Sequence, residues 1–330
     1  MNPERPGVLY VVVPCYNEES ALPFTSAALA TELATMKSRS IVSLASRILF
    51  VNDGSTDATW RLIEDLHARQ PETFSGLNLS RNRGHQNALL AGLLSVVDLA
   101  DMTISIDADL QDPVSVMTQM VELYNDGADV VYGVRDSRRT DGFFKRFTAL
   151  TFYRMMRFAG SESIFNHADC RLLSRRAVEG LAQFHEVNLF LRGLVPLIGF
   201  RAAIVRYDRA ARVAGNTKYP LSKMMAFAVD GITSFSVRPI RLITQIGLLV
   251  FALSVVAIVY VIVRFLLGQT VTGWASSLLS IWALGGLVLM SIGVIGEYVA
   301  KTYMETKARP RFLIESFLDS SADSAISPPE

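Results

Sequence analysis

Two carboxylates and a carboxamide follow a short apolar run in the first half of the chain. Asp107, Asp109 and Gln111 come directly after residues 102–106, whose composition predicts a buried strand. Ionised groups at the end of a buried strand are costly unless they are paired or bound to a metal. Alternate residues of an extended segment project to the same side. We therefore expect an all-oxygen site for Mg²⁺ or Mn²⁺ that holds a diphosphate, and the alternative is a solvated acidic loop.

Short apolar runs alternate with amphipathic segments over the first 135 residues. The apolar runs predict β-strands, and the segments between them have the period of helices. The predicted strands cover residues 8–13, 47–51, 74–79, 102–106 and 129–134, and the predicted helices cover residues 18–35, 57–68, 86–98 and 113–124. Regular alternation of this kind predicts an α/β fold built on a doubly wound, mostly parallel sheet.

Polar clusters follow each of the first four predicted strands, at residues 14–18, 52–57, 80–84 and 107–112. Ligands of parallel sheets bind beyond the carboxyl ends of the strands, so we expect the four clusters to form one site. Each cluster also has an ordinary explanation, because Asp57 can cap a helix and Gly54 and Gly84 can form turns. No Gly-x-Gly-x-x-Gly follows the first strand and the chain has no Gly-Lys pair, which argues against dinucleotide and P-loop sites.

Three of these motifs together resemble the family 2 glycosyltransferases of the GT-A fold. They are Val-Pro-Cys-Tyr-Asn-Glu-Glu at 13–19, Asn-Asp-Gly-Ser-Thr-Asp at 52–57 and Asp-Ala-Asp-Leu-Gln-Asp-Pro at 107–113. With two apolar C-terminal segments, the chain resembles the polyprenyl-phosphate glycosyltransferases of that family, the group of dolichyl-phosphate mannose synthase and the bactoprenol glucosyltransferases. This resemblance implies inverting transfer of glucose or another hexose from a UDP-linked nucleotide-sugar to undecaprenyl or dolichyl phosphate.

The resemblance also implies roles for residues of the donor site. Asp53 matches the aspartate that hydrogen-bonds the donor base, and Arg81 matches the loop that borders the ribose. Arg212 and Lys218 match a mobile loop that closes over the diphosphate, although a solvated basic loop is the alternative. The full set matched to nucleotide-sugar binding is Pro14, Tyr16, Glu18, Asp53, Arg81, Asp107, Arg212 and Lys218, and the set matched to the metal is Asp107, Asp109 and Gln111.

The acceptor side of the site is predicted from basic residues near the fifth strand. Arg135 and Arg138 follow that strand, and the guanidinium fork matches phosphate oxygens. Asp169 and Arg171 resemble the family's Asp-x-Arg segment beside the reaction centre, so Arg171 joins the predicted acceptor-phosphate residues. The predicted catalytic residues are Asp109, Asp169 and Arg135. Whether Asp169 is a base or a positioning residue stays open, because a phosphate monoester with a second pKa of about 6 is already anionic at neutral pH.

Two uncharged segments near the C-terminus, at about 242–263 and 275–296, predict a hairpin of two transmembrane helices. Each is long enough to cross a bilayer core of about 30 Å. Arg238 and Arg241 precede the first segment, and basic residues follow the second, namely Lys301, Lys307, Arg309 and Arg311. Since basic residues favour the cytoplasmic side, we expect both ends of the hairpin and the catalytic domain at 1–219 to be cytoplasmic, at the inner or plasma membrane.

Two further segments mix aromatic and basic side chains, at 143–158 and 220–238. This composition predicts helices that lie in the headgroup layer of a lipid bilayer, with an amphipathic core helix as the alternative. The cytosolic tail at 301–330 contains a predicted edge strand at 307–314 that would pair with a neighbouring subunit and give a homo-oligomer. Residues 316–330 are predicted to be disordered.

The remaining composition limits the class of partner. The net charge is +1 and no basic tract is present, so we expect no nucleic-acid partner. Cys15 and Cys170 lack partners at ligand spacing and are predicted to be packing residues.

Two other functions stay open at this point. A processive polysaccharide synthase would share the cytosolic motifs, but relatives of that kind carry Gln-x-x-Arg-Trp, and Trp60, Trp274 and Trp282 follow other residue types. A non-catalytic adaptor, partnering a flippase for lipid-linked sugars, would tolerate loss of the acidic segment at 107–112, which is present.

Overall fold

The structure, a computed structural model, describes residues 6–135, 167–186, 191–208, 238–267 and 273–321. These residues fall into two compact units. The first unit contains the described residues up to 208 together with residues 310–321, and the second contains those between 238 and 309.

An eight-stranded sheet forms the centre of the first unit. Its strands are β1 (Leu9–Cys15), β2 (Arg47–Asn52), β3 (Phe74–Leu79), β4 (Met102–Ser105), β5 (Val130–Arg135), β6 (His167–Ser174), β7 (Ala202–Tyr207) and β8 (Ile314–Leu318). The described helices of this unit are α1 (Leu22–Ser38), α2 (Thr59–Arg69), α3 (His85–Ser95), α4 (Val116–Asn125), α5 (Arg175–Ala182) and α6 (Leu191–Leu197). All five predicted strands and all four predicted helices are present, with ends shifted by a few residues.

The strand order is β7-β5-β6-β4-β1-β2-β3-β8. The pairs β1–β2, β1–β4, β2–β3 and β5–β7 are parallel, which confirms the mostly parallel α/β sheet. Strand β6 runs antiparallel to β4 and β5, and β8 runs antiparallel to β3. Since β6 is antiparallel, its first residues, not its last, lie at the edge of the sheet where β4 and β5 end.

The centre of the sheet is covered on both faces. All seven residues of β1 are buried, as its unbroken apolar sequence predicts. Helix α3 packs closely on this region at Gly92, where an added Cβ would lie 2.5 Å from Cγ1 of Val12 and 2.7 Å from Cγ2 of Val51. This close packing fixes α3 against β1 and β2. Cys15 and Cys170 are buried and are not disulfide-bonded, as predicted for packing residues.

The C-terminal edge strand corrects two predictions. Strand β8 lies at Ile314–Leu318 rather than at the predicted 307–314, and it pairs with β3 of its own chain rather than with a neighbouring subunit. The homo-oligomer stays a prediction. Beyond β8, the buried carboxylate of Asp319 accepts hydrogen bonds from Oγ of Ser75 at 2.7 Å and Oη of Tyr10 at 3.0 Å. These bonds offset the cost of ordering the tail, so the prediction of disorder from residue 316 is wrong up to Ser321. Residues 322–330 lie outside the described residues.

The second unit contains two long helices, α7 (Arg238–Leu266) with 29 residues and α8 (Trp274–Thr306) with 33 residues. The predicted spans at 242–263 and 275–296 lie within them. By length and composition, the described residues contain one segment that is apolar enough to cross a membrane, Leu284–Thr306. The hairpin of two spans therefore stays a prediction.

Large apolar side chains cover the surface of both long helices. Leu248 and Val256 of α7 are 69% and 66% exposed, and Leu289 of α8 is 72% exposed. Exposed apolar surface of this extent is typical of a helix that meets lipid or another apolar partner. The predicted interfacial helices at 143–158 and 220–238 lie outside the described residues, apart from Arg238, where α7 begins.

Candidate active site

The acidic segment at 107–112 follows β4 and forms a turn. Leu110 has a φ of 53°, and the carboxylate of Asp109 accepts a hydrogen bond of 3.2 Å from the backbone N–H of Gln111. A short Asp side chain that bonds the backbone two residues ahead favours a turn over an extended chain. The expectation that alternate residues of an extended segment share one side therefore does not describe this loop.

Gln111 is a buried side chain with an unsatisfied oxygen. It is 7% exposed, and its Oε1 has no hydrogen-bond partner in the part of the chain that the structure describes. A buried amide oxygen without a partner costs free energy, which a cation or a water would recover. Since Asp107 and Asp109 belong to the same loop, the donor set is of oxygen type, and these residues fit Mg²⁺ or Mn²⁺.

Asp107 belongs to a cluster with His85 and Asp169. The Nε2 atom of His85 lies 3.6 Å from Oδ1 of Asp107 and 3.8 Å from Oδ2 of Asp169. One ligand atom from each of the three side chains lies within 4.8 Å of the others. Burial raises the pKa of Asp107 to about 6, and His85 opposes that effect. The site therefore brings two carboxylates from different strand ends to one imidazole.

His85 was not among the predicted site residues. It is the first residue of α3 and follows Gly84, the last residue of a predicted polar cluster. The loop before it is held by Asp53, whose carboxylate accepts hydrogen bonds from the backbone N–H groups of Arg83, at 2.6 Å, and Gly84, at 2.9 Å. Its position in the sequence could have indicated it, because a polar residue that begins a helix directly after such a cluster lies at the same edge of the sheet as the cluster.

Asp53 is almost fully buried at the end of β2, and burial raises its pKa. The next residue, Gly54, has a φ of +63°, and an added Cβ would lie 2.4 Å from the backbone N of Asn82. The loops after β2 and β3 therefore touch, and only glycine fits between them. Because both oxygens of Asp53 already bond this loop, its predicted contact with the donor base stays a prediction.

The loop after β1 is tied to the loop after β2. The side-chain oxygen of Asn17 accepts a hydrogen bond of 2.9 Å from the N–H of Thr56, and the N–H of Glu18 donates to Oγ1 of Thr59 at 2.9 Å. Asp57 accepts a bond of 3.0 Å from the N–H of Thr59 at the start of α2, so it also has the helix-start role given as the ordinary explanation. The predicted donor residues at this edge include Pro14, buried Asp53, and the exposed Tyr16 and Arg81.

Asp169 forms a two-pronged ion pair with Arg192. Nε and Nη2 of Arg192 donate to Oδ1 and Oδ2 of Asp169 at 2.9 Å and 2.8 Å. Burial alone would raise the pKa of Asp169, but the hydrogen bonds and charge of Arg192 outweigh it and hold that pKa well below its usual range. Oγ of Ser105, the last residue of β4, also donates to the backbone oxygen of Asp169 at 2.6 Å. Asp169 is therefore a fixed carboxylate.

Arg171, predicted to bind the acceptor phosphate, is 3% exposed. Its guanidinium carbon lies 5.5 Å from the centre of the Tyr132 ring, and its Nε has no hydrogen-bond partner among the described residues. Arg135 is the last residue of β5, in register with Tyr207 of β7. It therefore ends at the same edge of the sheet as the acidic loop. Arg138, Arg212 and Lys218 lie outside the described residues, so their roles stay predictions.

Comparison with known proteins gives one family and several relatives that match over nearly the whole chain. The sequence pattern described as glycosyl transferase family 2 matches residues 10–181. The chain is 40% identical to the bactoprenol glucosyl transferase of Shigella phage SfX, over 93% of this chain and 98% of that protein. It is 51% identical to the uncharacterized glycosyltransferase YkoT of Bacillus subtilis (strain 168), over 93% of this chain and 91% of that protein.

Solved structures resemble the chain more distantly. The mannosyltransferase PcManGT from Pyrobaculum calidifontis, solved in complex with GDP-Man and Mn²⁺, superposes with a TM-score of 0.44 at 16% identity. The match covers 93% of this chain and 87% of that protein.

Proposed function

The chain belongs to glycosyl transferase family 2, and we propose that it transfers glucose or another hexose from a UDP-linked nucleotide-sugar to a polyprenyl phosphate, at the cytoplasmic face of a membrane. The observation that carries this proposal is the convergence of Asp107, His85 and Asp169 at one edge of the sheet, together with the unsatisfied buried oxygen of Gln111 in the same loop as Asp107. Relatives named bactoprenol glucosyl transferase, which match over nearly the whole chain, support the acceptor class.

The reaction joins an oxygen of the lipid phosphate to the anomeric carbon of the sugar. The bond between that carbon and the diphosphate oxygen breaks, and the nucleoside diphosphate leaves from the opposite face, with inversion. The residues that would hold a divalent metal are Asp107, Asp109 and Gln111. Such a metal, when bound, neutralises the charge that develops on the leaving diphosphate. Arg212 and Lys218 are proposed to add positive charge to the same diphosphate.

Asp169 is proposed to position groups rather than to accept a proton. Its pKa is held below the usual range by Arg192, and a strongly ionised carboxylate is a weak base. The acceptor needs no such base, because its phosphate is already anionic at neutral pH, with a second pKa of about 6. Arg135 and Arg138, at and after the end of β5, are proposed to hold that phosphate.

Strand pairing supports an even number of membrane crossings. Strand β8, which follows both long helices, pairs with β3, which precedes them. A single crossing would put these two paired strands on opposite sides of a membrane. The 29 residues of α7 extend about 43 Å at 1.5 Å per residue, longer than a bilayer core of about 30 Å. We therefore propose that α7 and α8 both cross the membrane.

Transfer is tested with purified protein, polyprenyl phosphate and a set of radiolabelled nucleotide-sugars. We expect label in the lipid fraction only when polyprenyl phosphate is present, and most strongly with UDP-glucose or another UDP-hexose. Label in a polymer that does not extract with lipid would instead indicate a processive synthase. No incorporation with any donor would favour the adaptor.

The two-span topology predicts where added tags are accessible. In right-side-out vesicles, protease should leave tags at both termini intact and remove a tag inserted between residues 268 and 272. The reason is that basic residues at both ends of the hairpin favour the cytoplasmic side. Cleavage at one terminus alone would contradict the even number of crossings, and cleavage at both termini with a protected loop would reverse the orientation.

A further inference from the structure

We propose that Arg192 is a positioning residue of the active site, acting through Asp169. This inference rests on the proposed glycosyl transfer and adds a residue to it. Arg192 is the second residue of α6, beyond the part of the chain that matches the family pattern. It donates to both oxygens of Asp169, whose side chain is 14% exposed, while its own side chain is 34% exposed. The pair is therefore largely removed from water.

Helix α6 is itself fixed to the active site. The backbone N–H of Leu191 donates a hydrogen bond of 3.0 Å to Oε1 of Gln86. Gln86 follows His85, the residue that faces both Asp107 and Asp169. These contacts form a closed circuit. Gln86 at the start of α3 bonds Leu191 at the start of α6, and the next residue, Arg192, bonds Asp169. Asp169 in turn lies beside His85, which precedes Gln86.

The geometry of the pair explains why arginine is needed. A guanidinium that donates two parallel bonds fixes the plane of a carboxylate, which a single ammonium contact does not. Arg192 is also the closer of two cationic neighbours of this carboxylate, since its Nη2 lies 2.8 Å from Oδ2 of Asp169 and Nε2 of His85 lies 3.8 Å from the same atom. The Arg192 side chain therefore sets both the orientation and the local charge balance of Asp169 before the substrates bind.

A double-mutant cycle tests the inference. We expect Arg192→Gln to lower kcat for lipid glycosylation about 100-fold, because a misplacement of about 1 Å at a reaction site costs about that much, while KM for the donor changes less than about threefold. Arg192→Lys should recover about tenfold of the loss, since the charge remains but the fork is lost. The double variant Arg192→Gln with Asp169→Asn should be no slower than Asp169→Asn alone, because the two residues act as a unit.

The chain offers a matched control at the opposite edge of the sheet. Arg176 also donates through Nε and Nη2 to both oxygens of one carboxylate, that of Asp129, which precedes β5. Arg176→Gln should therefore leave kcat within about twofold of the parent. An equal loss of kcat in Arg176→Gln and Arg192→Gln would overturn the inference, because the effect would be general destabilisation.

Two other results would overturn it. Multiplicative losses in the double variant would mean that Arg192 acts independently of Asp169, and a large rise in donor KM with unchanged kcat would mean that it binds the donor directly.

The same double-mutant cycle is also measured for hydrolysis of the UDP-sugar in the absence of lipid. A parent protein that hydrolyses the donor but glycosylates no lipid contradicts the proposed acceptor, while the hydrolysis cycle still decides the role of Arg192. A parent inactive in both assays contradicts both proposals.

Discussion

Asp109→Asn reduces sugar transfer at least about 100-fold while the protein stays folded. We expect this because the substitution removes a charged oxygen from the proposed metal loop, and losing one group that stabilises developing charge costs about 100- to 1000-fold in kcat. Asp109 lies in a half-buried turn rather than in the core, so its loss should not unfold the sheet. The measurement is initial-rate transfer to lipid, beside circular dichroism of the same sample.

Metal removal should reproduce that loss in the parent protein. Dialysis against EDTA should abolish transfer, and Mg²⁺ or Mn²⁺ added back should restore it to the parent but not to Asp109→Asn. Asp126→Asn is the matched control, because Asp126 is an exposed carboxylate at the far end of α4, near the opposite edge of the sheet. Full activity of the EDTA-treated parent would rule out the metal role of this loop.

Asp319→Ala should destabilise the edge of the catalytic sheet by about 3 kcal/mol. Removing one partner of a buried charged network leaves the others unpaired, which costs about 3 kcal/mol or more. In this protein the hydroxyl of Ser75 would lose the acceptor Asp319, and the buried Tyr10 and Arg47 would each lose one of their partners. Native-state hydrogen exchange of the β3 and β8 amides measures the change.

The control for this variant lies on β8, the strand that Asp319 follows. Glu315→Gln alters an exposed carboxylate that accepts a 3.0 Å hydrogen bond from Asn78, and it should cost less than about 1 kcal/mol. Equal loss of amide protection in Glu315→Gln and Asp319→Ala would contradict this prediction. It would show that any change near β8 weakens its pairing with β3, and that the buried carboxylate of Asp319 has no particular role in it.

The same network predicts a dependence on pH. Burial would raise the pKa of Asp319, but hydrogen bonds from Ser321 and Ser75 outweigh it, and the pKa in the folded state lies below its usual value. A lowered pKa gives stability that is fully present above the unfolded value of about 3.9 and is lost as pH falls through the folded pKa. Protection of β8 should thus be constant from pH 7 to 5 and fall below about pH 4, and this fall should be smaller in Asp319→Ala.

The first five strands were predictable because each is a short apolar run bounded by polar clusters. Burial on both faces leaves a clear pattern in sequence, as in β1. Strands β6 and β7 were missed because neither is an apolar run buried on both faces. Strand β6 begins with polar residues that include His167, Asp169 and Arg171, and only two of the six residues of β7 are buried. Strand β8 was expected near its true place but with the wrong partner, since the choice between a neighbouring subunit and β3 depends on buried groups such as Asp319.

The residues of the candidate site also divide into some that the sequence predicts and others that it does not. The acidic loop was recognisable from residue type and spacing alone. Arg192 was not, because it is a single basic residue in an apolar segment, and its carboxylate partner lies 23 positions earlier on an antiparallel strand. His85 was missed for a related reason, as one imidazole carries no signal until Asp107 and Asp169 are brought beside it.

The position of β8 has a consequence for how the protein is made. During synthesis the edge of β3 has no partner until residues 314–318 emerge, after both long helices have been translated. An open strand edge is a site for pairing with other chains, so the nascent domain passes through a stage at which it is prone to aggregation. A ribosome that stalls within α8 would release a chain with its motifs intact and its sheet unfinished. Quality control of this enzyme can therefore act on an unpaired β3 edge rather than on a damaged active site.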